Sequence, residues 1–292
     1  MTATVAQVRH IGRAEVQRWL PQLDEWLLGD SFYGVQHTWP QLYRRDGEGH
    51  FFVLCDGDRL LSHCACRVVA VHGASETFPV CLMGSVATDP EQRCRGLASQ
   101  VIAAALATTG PLADHVLLWA ERPQLYARHG FVAGREETCL QLARGPRSAV
   151  ACVRLAEVRD HEALHALHEQ KPWRVERSAP LMSRLLTTPG MTTAVLERDG
   201  AIVAYACCGK GADLQGHWHE LGGSDQTLAE LLPAAMHLAD QIEAVLLLPP
   251  FRSSLRTLLS RYVIGEFTAD GPMAHSPGRA LPACWIDGLD SV

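Results

Sequence analysis

Residues 85–106 read SVATDPEQRCRGLASQVIAAAL, and this stretch decides the fold. A strand pattern ends at about Thr88, Pro90 breaks it, and an Ala-rich helical pattern begins after Gly96. Glycine permits close approach to the backbone, and the first N–H groups of a helix have no partners within that helix. The stretch therefore predicts an anion site suited to a pyrophosphate, with charge from Arg93 and Arg95.

The order of elements around this motif supports the anion site. The alternative interpretation of the same residues is an ordinary strand–helix connection with arginines on the surface. Residues 1–145 read as β-α-α-β-β-β-α-β-α-β. The strands are predicted at 6–10, 50–58, 59–74, 78–89, 115–121 and 131–142, and the helices at 13–28, 39–45, after Gly96, and at 123–130. The turn Asp56-Gly57-Asp58 predicts a hairpin, and the apolar run at 115–121 is typical of a buried, parallel-paired strand.

The second half of the chain repeats this order of elements without obvious sequence identity. Residues 143–150 read ARGPRSAV, a composition typical of an interdomain linker. The length of 292 residues also exceeds one ordinary core. We therefore predict an α/β (α+β) chain of two domains, residues 1–145 and 151–292.

Composition narrows the class of protein. With 47% hydrophobic and 20% charged residues and a net charge of −6, the chain is typical of a globular protein and has no basic stripe for nucleic acid. The sequence shows no secretory signal and no apolar run of membrane-spanning length, so we expect no membrane association and a cytoplasmic location. The ten cysteines lack CxxC spacing and are expected to be reduced, mostly buried thiols.

A second motif follows the first. Tyr126–Phe131 reads YARHGF, a YxxxGF pattern, and together the two motifs resemble the GNAT acetyltransferase superfamily. The resemblance implies two tandem GNAT-like domains, each a mixed, mostly antiparallel sheet flanked by helices. It also implies acetyl-CoA as co-substrate, with the family's R/Q-x-x-G-x-G/A pattern on Arg93, Gly96 and Ala98.

The resemblance assigns further residues to cofactor binding and catalysis. The expected cofactor-binding residues are Val86, Ala87 and Thr88 at the end of the strand, which would pair with the pantetheine arm, and Arg93, Cys94, Arg95, Gly96, Leu97, Ala98 and Ser99 in the turn and first helical residues. Cys94 stands where the family often has glycine. The family's tyrosine often protonates the leaving CoA thiolate, so Tyr126 is the expected general acid, with a packed aromatic as the alternative.

The general base is less well marked in the sequence. Glu121, just after the strand at 115–121, is the nearest carboxylate to the expected acetyl position, although it could equally be a solvated charge. His63 and a bound water are the other candidates. His217 and His219 lie two residues apart in a strand and Glu220 adjoins them, but the sequence shows no clear third ligand on their side of the strand. No metal is therefore expected. His161, His165 and His168 share a helix face and are interpreted as surface residues.

The second half lacks the RxxGxA spacing, so one CoA per chain is expected, bound by the N-terminal domain. Ser224 or Asp225 is interpreted as a helix N-cap. The stretch LLWAERPQLYARHGF is similar to part of the enhanced intracellular survival family of acetyltransferases. The C-terminal stretch ACWIDGLDSV looks docked and is a candidate element of the substrate pocket.

The sequence thus predicts an N-acetyltransferase for a primary amine on a small molecule or peptide, with a homodimer left open. Phe32, Tyr33, Trp39 and Trp26 are candidates for the acceptor pocket or for the core. A non-catalytic CoA-binding or sensory protein, and a transferase of another acyl group, are the alternatives.

Overall fold

The computed structural model describes residues 7–146 and 152–292. The strands of the first half are β1 (Arg9–Ile11), β2 (His50–Asp56), β3 (Arg59–His72), β4 (Thr77–Thr88), β5 (His115–Leu118) and β6 (Glu137–Ala143). Those of the second half are β7 (Val153–Leu155), β8 (Arg174–Val175), β9 (Thr192–Arg198), β10 (Ala201–Cys208), β11 (His217–Gly223), β12 (Glu243–Leu248), β13 (Val263–Ala269) and β14 (Met273–His275).

The helices are α1 (Arg13–Val16), α2 (Leu20–Leu28), α3 (Val35–Thr38), α4 (Pro40–Tyr43), α5 (Leu97–Thr109), α6 (Pro123–Ala127), α7 (His161–Glu169), α8 (Ala179–Leu186), α9 (Asp225–Leu238) and α10 (Ser253–Leu258). Short 3-10 segments span Gln17–Trp19, Pro90–Gln92, Gly110–Leu112, Val158–Asp160 and Gly288–Asp290. In the described ranges, no helix combines the length and the apolar character needed to cross a membrane.

The strands form two mixed, mostly antiparallel sheets, as predicted. The first sheet has the order β1-β2-β3-β4-β5-β14, with β8 also paired to β3, and the second has the order β13-β6-β12-β11-β10-β9-β7. The parallel pairs are β4–β5 and β11–β12. The predicted hairpin between β2 and β3 is confirmed, and Gly57 in its turn has the positive φ of 59° that glycine adopts without strain.

The two halves exchange strands, which the sequence analysis did not predict. Residues 131–142 were expected to form the last strand of the first sheet. Instead β6 begins at Glu137 and joins the second sheet between β12 and β13, while β14 from the second half pairs with β5. The division into residues 1–145 and 151–292 stays a prediction about the halves of the chain, because the first sheet contains β8 and β14 from the second half and the second sheet contains β6 from the first.

Other element boundaries also differ from expectation. The helical pattern at 13–28 is broken into α1, a 3-10 turn and α2, and Pro21 lies in the first turn of α2, where proline is tolerated. Pro40 likewise starts α4 and separates it from α3. Residue 6, the predicted start of the first strand, and residues 147–150 of the predicted linker lie outside the described residues.

Each sheet is covered by helices that bury a separate core. Helix α5 packs through Val101, Ile102 and Ala105 on one face of the first sheet, and α1–α4 with the C-terminal stretch cover the other face. Helix α9 packs on the second sheet. The ten cysteines are free thiols and most are buried, as predicted.

Candidate functional site

The first sheet opens between β4 and β5. The parallel ladder joins Val80 to His115 and ends at the pair of Leu82 and Leu117. Strand β4 nevertheless continues to Thr88 and pairs with β3 on its other side. Within the described part of the chain, the β5-facing edge of β4 beyond Leu82 has no ladder partner. Backbone groups there are available to an extended ligand.

A β-bulge interrupts β4 at this edge. The register against β3 shifts between His63, which pairs with Ala87, and Ala65, which pairs with Gly84. Ser85 lies in the bulge with a φ of 50°, in the left-handed region that non-glycine residues rarely adopt. His63 is buried, and its Nδ1 is 2.9 Å from the Ser85 carbonyl oxygen. The bulge is a local strain of the kind found at functional sites.

The turn after β4 presents the start of α5 without a side-chain cap. Asp89 begins the turn. Its carboxylate accepts a hydrogen bond from the Glu91 N–H at 2.9 Å and forms an ion pair with Arg59 at 2.6 Å. Cys94 and Gly96 then have φ angles of 62° and 74°. Gly96 occupies the N-cap position of α5 and makes no side-chain cap. The first N–H groups of this 13-residue helix therefore face outward, as an anion site requires.

The departure at Cys94 has a structural consequence. A cysteine with a φ of 62° costs about 1 kcal/mol relative to glycine, which explains why glycine suits this position. Arg93 and Arg95 are exposed beside the turn. Arg93 Nε is 3.4 Å from the Thr88 carbonyl oxygen, and Arg95 bonds the Gln92 side chain, so both guanidinium groups are held near the N-terminus of α5.

Tyr126 lies in α6, and its ring packs on the same apolar cluster as Val86 and Leu97. Its ring meets Phe131 edge-on, with 6.0 Å between centroids. Burial, reinforced by nearby groups that include Glu121, raises the pKa of Tyr126 to about 12. The phenol is therefore protonated at neutral pH, and the structure brings it to the side of the sheet that carries the turn.

Two carboxyl groups follow the opening. Glu121 is exposed, three residues beyond the end of β5. Glu137, at the start of β6, was not singled out in the sequence. Burial raises the pKa of Glu137 to about 7, while a hydrogen bond from Trp119 acts in the opposite direction. No pattern in the sequence singles out Glu137, because its burial depends on the pairing of β6 with strands of the second half of the chain.

The C-terminal stretch lies beside β4 at the opening. Val292 packs with the core under α1–α4, and a Cβ at Gly84 would overlap its main chain. Lys210 is buried and donates to the carbonyl oxygens of Gly288, Leu289 and Ser291 at 2.9, 3.0 and 2.7 Å. Burial lowers the pKa of Lys210 to about 7.

A buried ionic network anchors the same stretch. Asp290 bonds Arg177, with Nε–O distances of 3.1 and 3.2 Å, and lies 3.4 Å from Arg67 of β3. Arg177 also bonds Glu220 of β11 at 2.8 Å. These groups join β3, the segment after β8, β11 and the C-terminal stretch, so the network connects both sheets.

Residues 7–134 match the family model described as an acetyltransferase (GNAT) domain. Residues 7–134 form a GNAT domain. This domain runs from β1 past α6 and therefore contains the opening of the sheet, the bulge, the turn and Tyr126.

Solved structures of low sequence identity share the fold of the whole chain. A probable N-acyltransferase from Enterococcus faecalis matches with a TM-score of 0.71 and 15% identity, over 94% of this chain and 73% of that chain. Eis1 from Mycobacterium abscessus gives 0.60 and 16%, over 92% and 73%. Saccharomyces cerevisiae N-myristoyltransferase, solved with bound myristoyl-CoA, gives 0.61 and 12%, over 97% and 81%. No curated protein matches the sequence significantly.

The junction in the second sheet that corresponds to the turn of the GNAT domain is closed. Ser224 caps α9 by accepting from the Thr227 N–H at 3.2 Å, as predicted, and Arg252 pairs with Asp225 at 2.9 Å. The start of α9 is thus satisfied by the protein's own groups, whereas the start of α5 is not.

The histidines of the second half are placed differently from one another. His168 is buried rather than on the surface, and burial lowers its pKa to about 4. It lies with Glu220 and Asp287 at ligand spacing, but Lys171 Nζ already bonds both carboxylates. An ammonium therefore takes the position that a metal would need. His219 Nε2 is 3.0 Å from the Gly209 carbonyl oxygen, so a hydrogen bond to the backbone accounts for this ring.

The four aromatic candidates for the acceptor pocket separate into two pairs. Trp26 and Trp39 pack against the core under α1–α4. Phe32 is 93% exposed, and Tyr33 beside it is also exposed. Phe32 and Tyr33 are therefore the more exposed pair, while Trp26 and Trp39 are partly buried.

Proposed function

We propose that this protein is an acyl-CoA-dependent N-acyltransferase that moves an acetyl group from acetyl-CoA to a primary amine of a small molecule or peptide. The observation that carries the proposal is the combination, within one GNAT domain, of an open β4 edge and an uncapped α5 N-terminus. These two features suit an extended thioester arm and a diphosphate respectively.

The proposed cofactor contacts follow from these positions. Val86, Ala87 and Thr88 pair through their backbone with the pantetheine arm. The turn and first helical residues bind the diphosphate, namely Arg93, Cys94, Arg95, Gly96, Leu97, Ala98 and Ser99. At the bulge, a backbone N–H of β4 is the donor proposed for the thioester carbonyl oxygen.

The proposed reaction is a direct attack. The neutral amine forms a C–N bond to the thioester carbonyl carbon, the C–S bond breaks, and the thiolate takes the proton of Tyr126. A carboxylate takes the proton that the amine loses. Glu121 is the proposed base on its position after β5, and Glu137 is the competitor that its raised pKa of about 7 favours.

The test of cofactor binding uses charge reversal at the turn. Arg95→Glu is expected to weaken CoA affinity at least about 10-fold in calorimetry, because a charge-assisted contact is replaced by repulsion. Arg261→Glu, at an exposed site in the second half, is the matched control and should bind CoA like the wild type. Equal affinity in all three proteins would reject the cofactor assignment.

Turnover is tested by thiol release from acetyl-CoA with a panel of amines, peptides and aminoglycosides. Tyr126→Phe should lower kcat with little change in KM for acetyl-CoA, whereas Tyr262→Phe, beside the core of the second sheet, should not. If kcat/KM rises with an inflection near pH 7 that Glu137→Gln abolishes and Glu121→Gln retains, Glu137 replaces Glu121 as the base. CoA binding without release of thiol would favour a non-catalytic protein, and preference for a longer thioester would favour another acyl group.

A further inference from the structure

Three buried polar side chains meet under the bulge of β4 without satisfying one another. The Tyr43 hydroxyl, His63 Nε2 and the Ser85 hydroxyl are shielded from solvent and have no hydrogen-bond partner. Tyr43 and His63 are fully buried, with 5.9 Å between their ring centroids. A hydrogen-bonding contact with the Ser85 side chain lowers the pKa of Tyr43, against the larger effect of burial, although the two oxygens do not reach the geometry of a full hydrogen bond.

The hydrogen-bonding roles of this cluster can be assigned. The Ser85 carbonyl oxygen is an acceptor only, so His63 Nδ1, 2.9 Å away, carries the ring proton and donates it. Burial lowers the pKa of His63 to about 4, so the ring is neutral at pH 7 and Nε2 is an acceptor. The cluster thus presents one acceptor at Nε2, one donor at the Tyr43 hydroxyl, and one hydroxyl of either kind.

One water molecule would complement all three groups, since it can donate to Nε2, accept from Tyr43 and bond Ser85. Leaving each group unsatisfied costs about 1–3 kcal/mol, which is rarely tolerated three times at one place. The His63 bond has a second effect. Because the peptide group is planar and trans, holding the Ser85 carbonyl toward His63 turns the Val86 N–H away from His63.

We propose that Tyr43, His63 and Ser85 hold one buried water beneath the bulge, and that His63 is a positioning residue that orients the Ser85–Val86 peptide for the thioester carbonyl. The second part rests on the proposed function. His63 does not exchange a proton with the substrate. It acts through the Ser85 carbonyl, and Tyr43 acts through the water.

Two substitutions of His63 separate its two ring nitrogens. His63→Asn places an amide donor near the position of Nδ1 and loses the Nε2 contact. His63→Gln reaches the position of Nε2 and loses the bond to the Ser85 carbonyl. We expect kcat with acetyl-CoA and the best amine of the panel to fall about 100-fold in His63→Gln and less than 10-fold in His63→Asn, with KM for acetyl-CoA within 2-fold in both.

His219→Gln is the matched control, because His219 is also buried, also bonds a backbone carbonyl and also has an unpartnered ring nitrogen. It should lower the melting temperature as His63→Gln does but leave kcat unchanged. Equal kcat in the two His63 variants would overturn the positioning role. No turnover and no CoA binding by the wild type would instead reject the proposed function.

The water is tested without any activity measurement. A crystal structure of the protein at about 1.5 Å resolution should show one density peak within hydrogen-bond distance of the three named atoms. Tyr43→Phe should lose or displace this peak while the Ser85 φ stays positive. An empty or collapsed cluster in the wild type would overturn the first part of the proposal.

Discussion

Replacing Asp290 by asparagine should destabilise the protein strongly, because it removes one of the buried negative charges from a balanced network. Arg67, Lys171 and Arg177 face Glu220, Asp287 and Asp290 in the protein interior. The substitution keeps the shape of the side chain but removes the carboxylate that Arg67 and Arg177 share, so part of their buried positive charge is no longer compensated. Breaking a buried pair from one side costs about 3–5 kcal/mol.

The measurement is the free energy of unfolding in urea at pH 7.5, together with the melting temperature, which should fall by roughly 6–20 °C at 2–4 °C per kcal/mol. Asp270→Asn, at an exposed carboxylate, is the control and should change stability by less than about 0.5 kcal/mol. The double variant Arg177→Met with Asp290→Leu should lose less than the two single variants together, because both charges leave at once. A loss below about 1 kcal/mol in Asp290→Asn would refute the view that this network anchors the C-terminal stretch.

Three further outcomes can be measured. Cys94→Gly should stabilise the protein by about 0.5–1 kcal/mol in thermal unfolding and keep CoA affinity, whereas Gly96→Ala should cost about 1 kcal/mol and weaken CoA binding in calorimetry. Stability should fall on acidification from pH 6.5 toward pH 4, because three buried histidines with pKa values near 4 stay neutral when folded but are protonated when unfolded. Each neutral histidine contributes its full stabilisation above pH 6.5, and about 2 kcal/mol of that contribution is lost at pH 5. The free energy of unfolding in urea should therefore fall by about 2 kcal/mol less in His219→Gln than in the wild type between these two pH values. Lys210→Met should expose the C-terminal stretch to limited proteolysis, since three backbone carbonyls lose their donor, and unchanged cleavage would contradict this role.

Local patterns in the sequence were sufficient to predict the strand, turn and helix between β4 and α5. Proline and glycine at fixed offsets, an apolar strand before them and an amphipathic helix after them all act within about twenty residues. The same applies to the hairpin at Asp56–Asp58 and to the Ser224 cap of α9. Each depends on neighbours in the chain, so periodicity and turn chemistry are informative.

The parts that were missed depend on contacts between distant segments. Strand β6 has an ordinary strand pattern, and nothing in that pattern states which sheet it joins. His168 was interpreted as a surface residue because its helix carries several histidines, whereas tertiary packing buries it beside Arg177 and Glu220. Ser85 gave no signal either, because a bulge is created by the register of the partner strand.

The exchange of strands also bears on how the chain is synthesised. When the ribosome has completed β5, its partner strand β14 has not yet been synthesised. Strand β6 likewise cannot pair until β12 and β13 have been synthesised. Neither sheet can close until nearly the whole polypeptide has emerged. Sheets with such non-local pairings fold slowly and expose unpaired edges to other chains meanwhile. A gene fragment that encodes only the first half would therefore lack β8 and β14 of its own sheet and carry β6 without its partners. One that encodes only the second half would lack β6 and carry β8 and β14 without theirs.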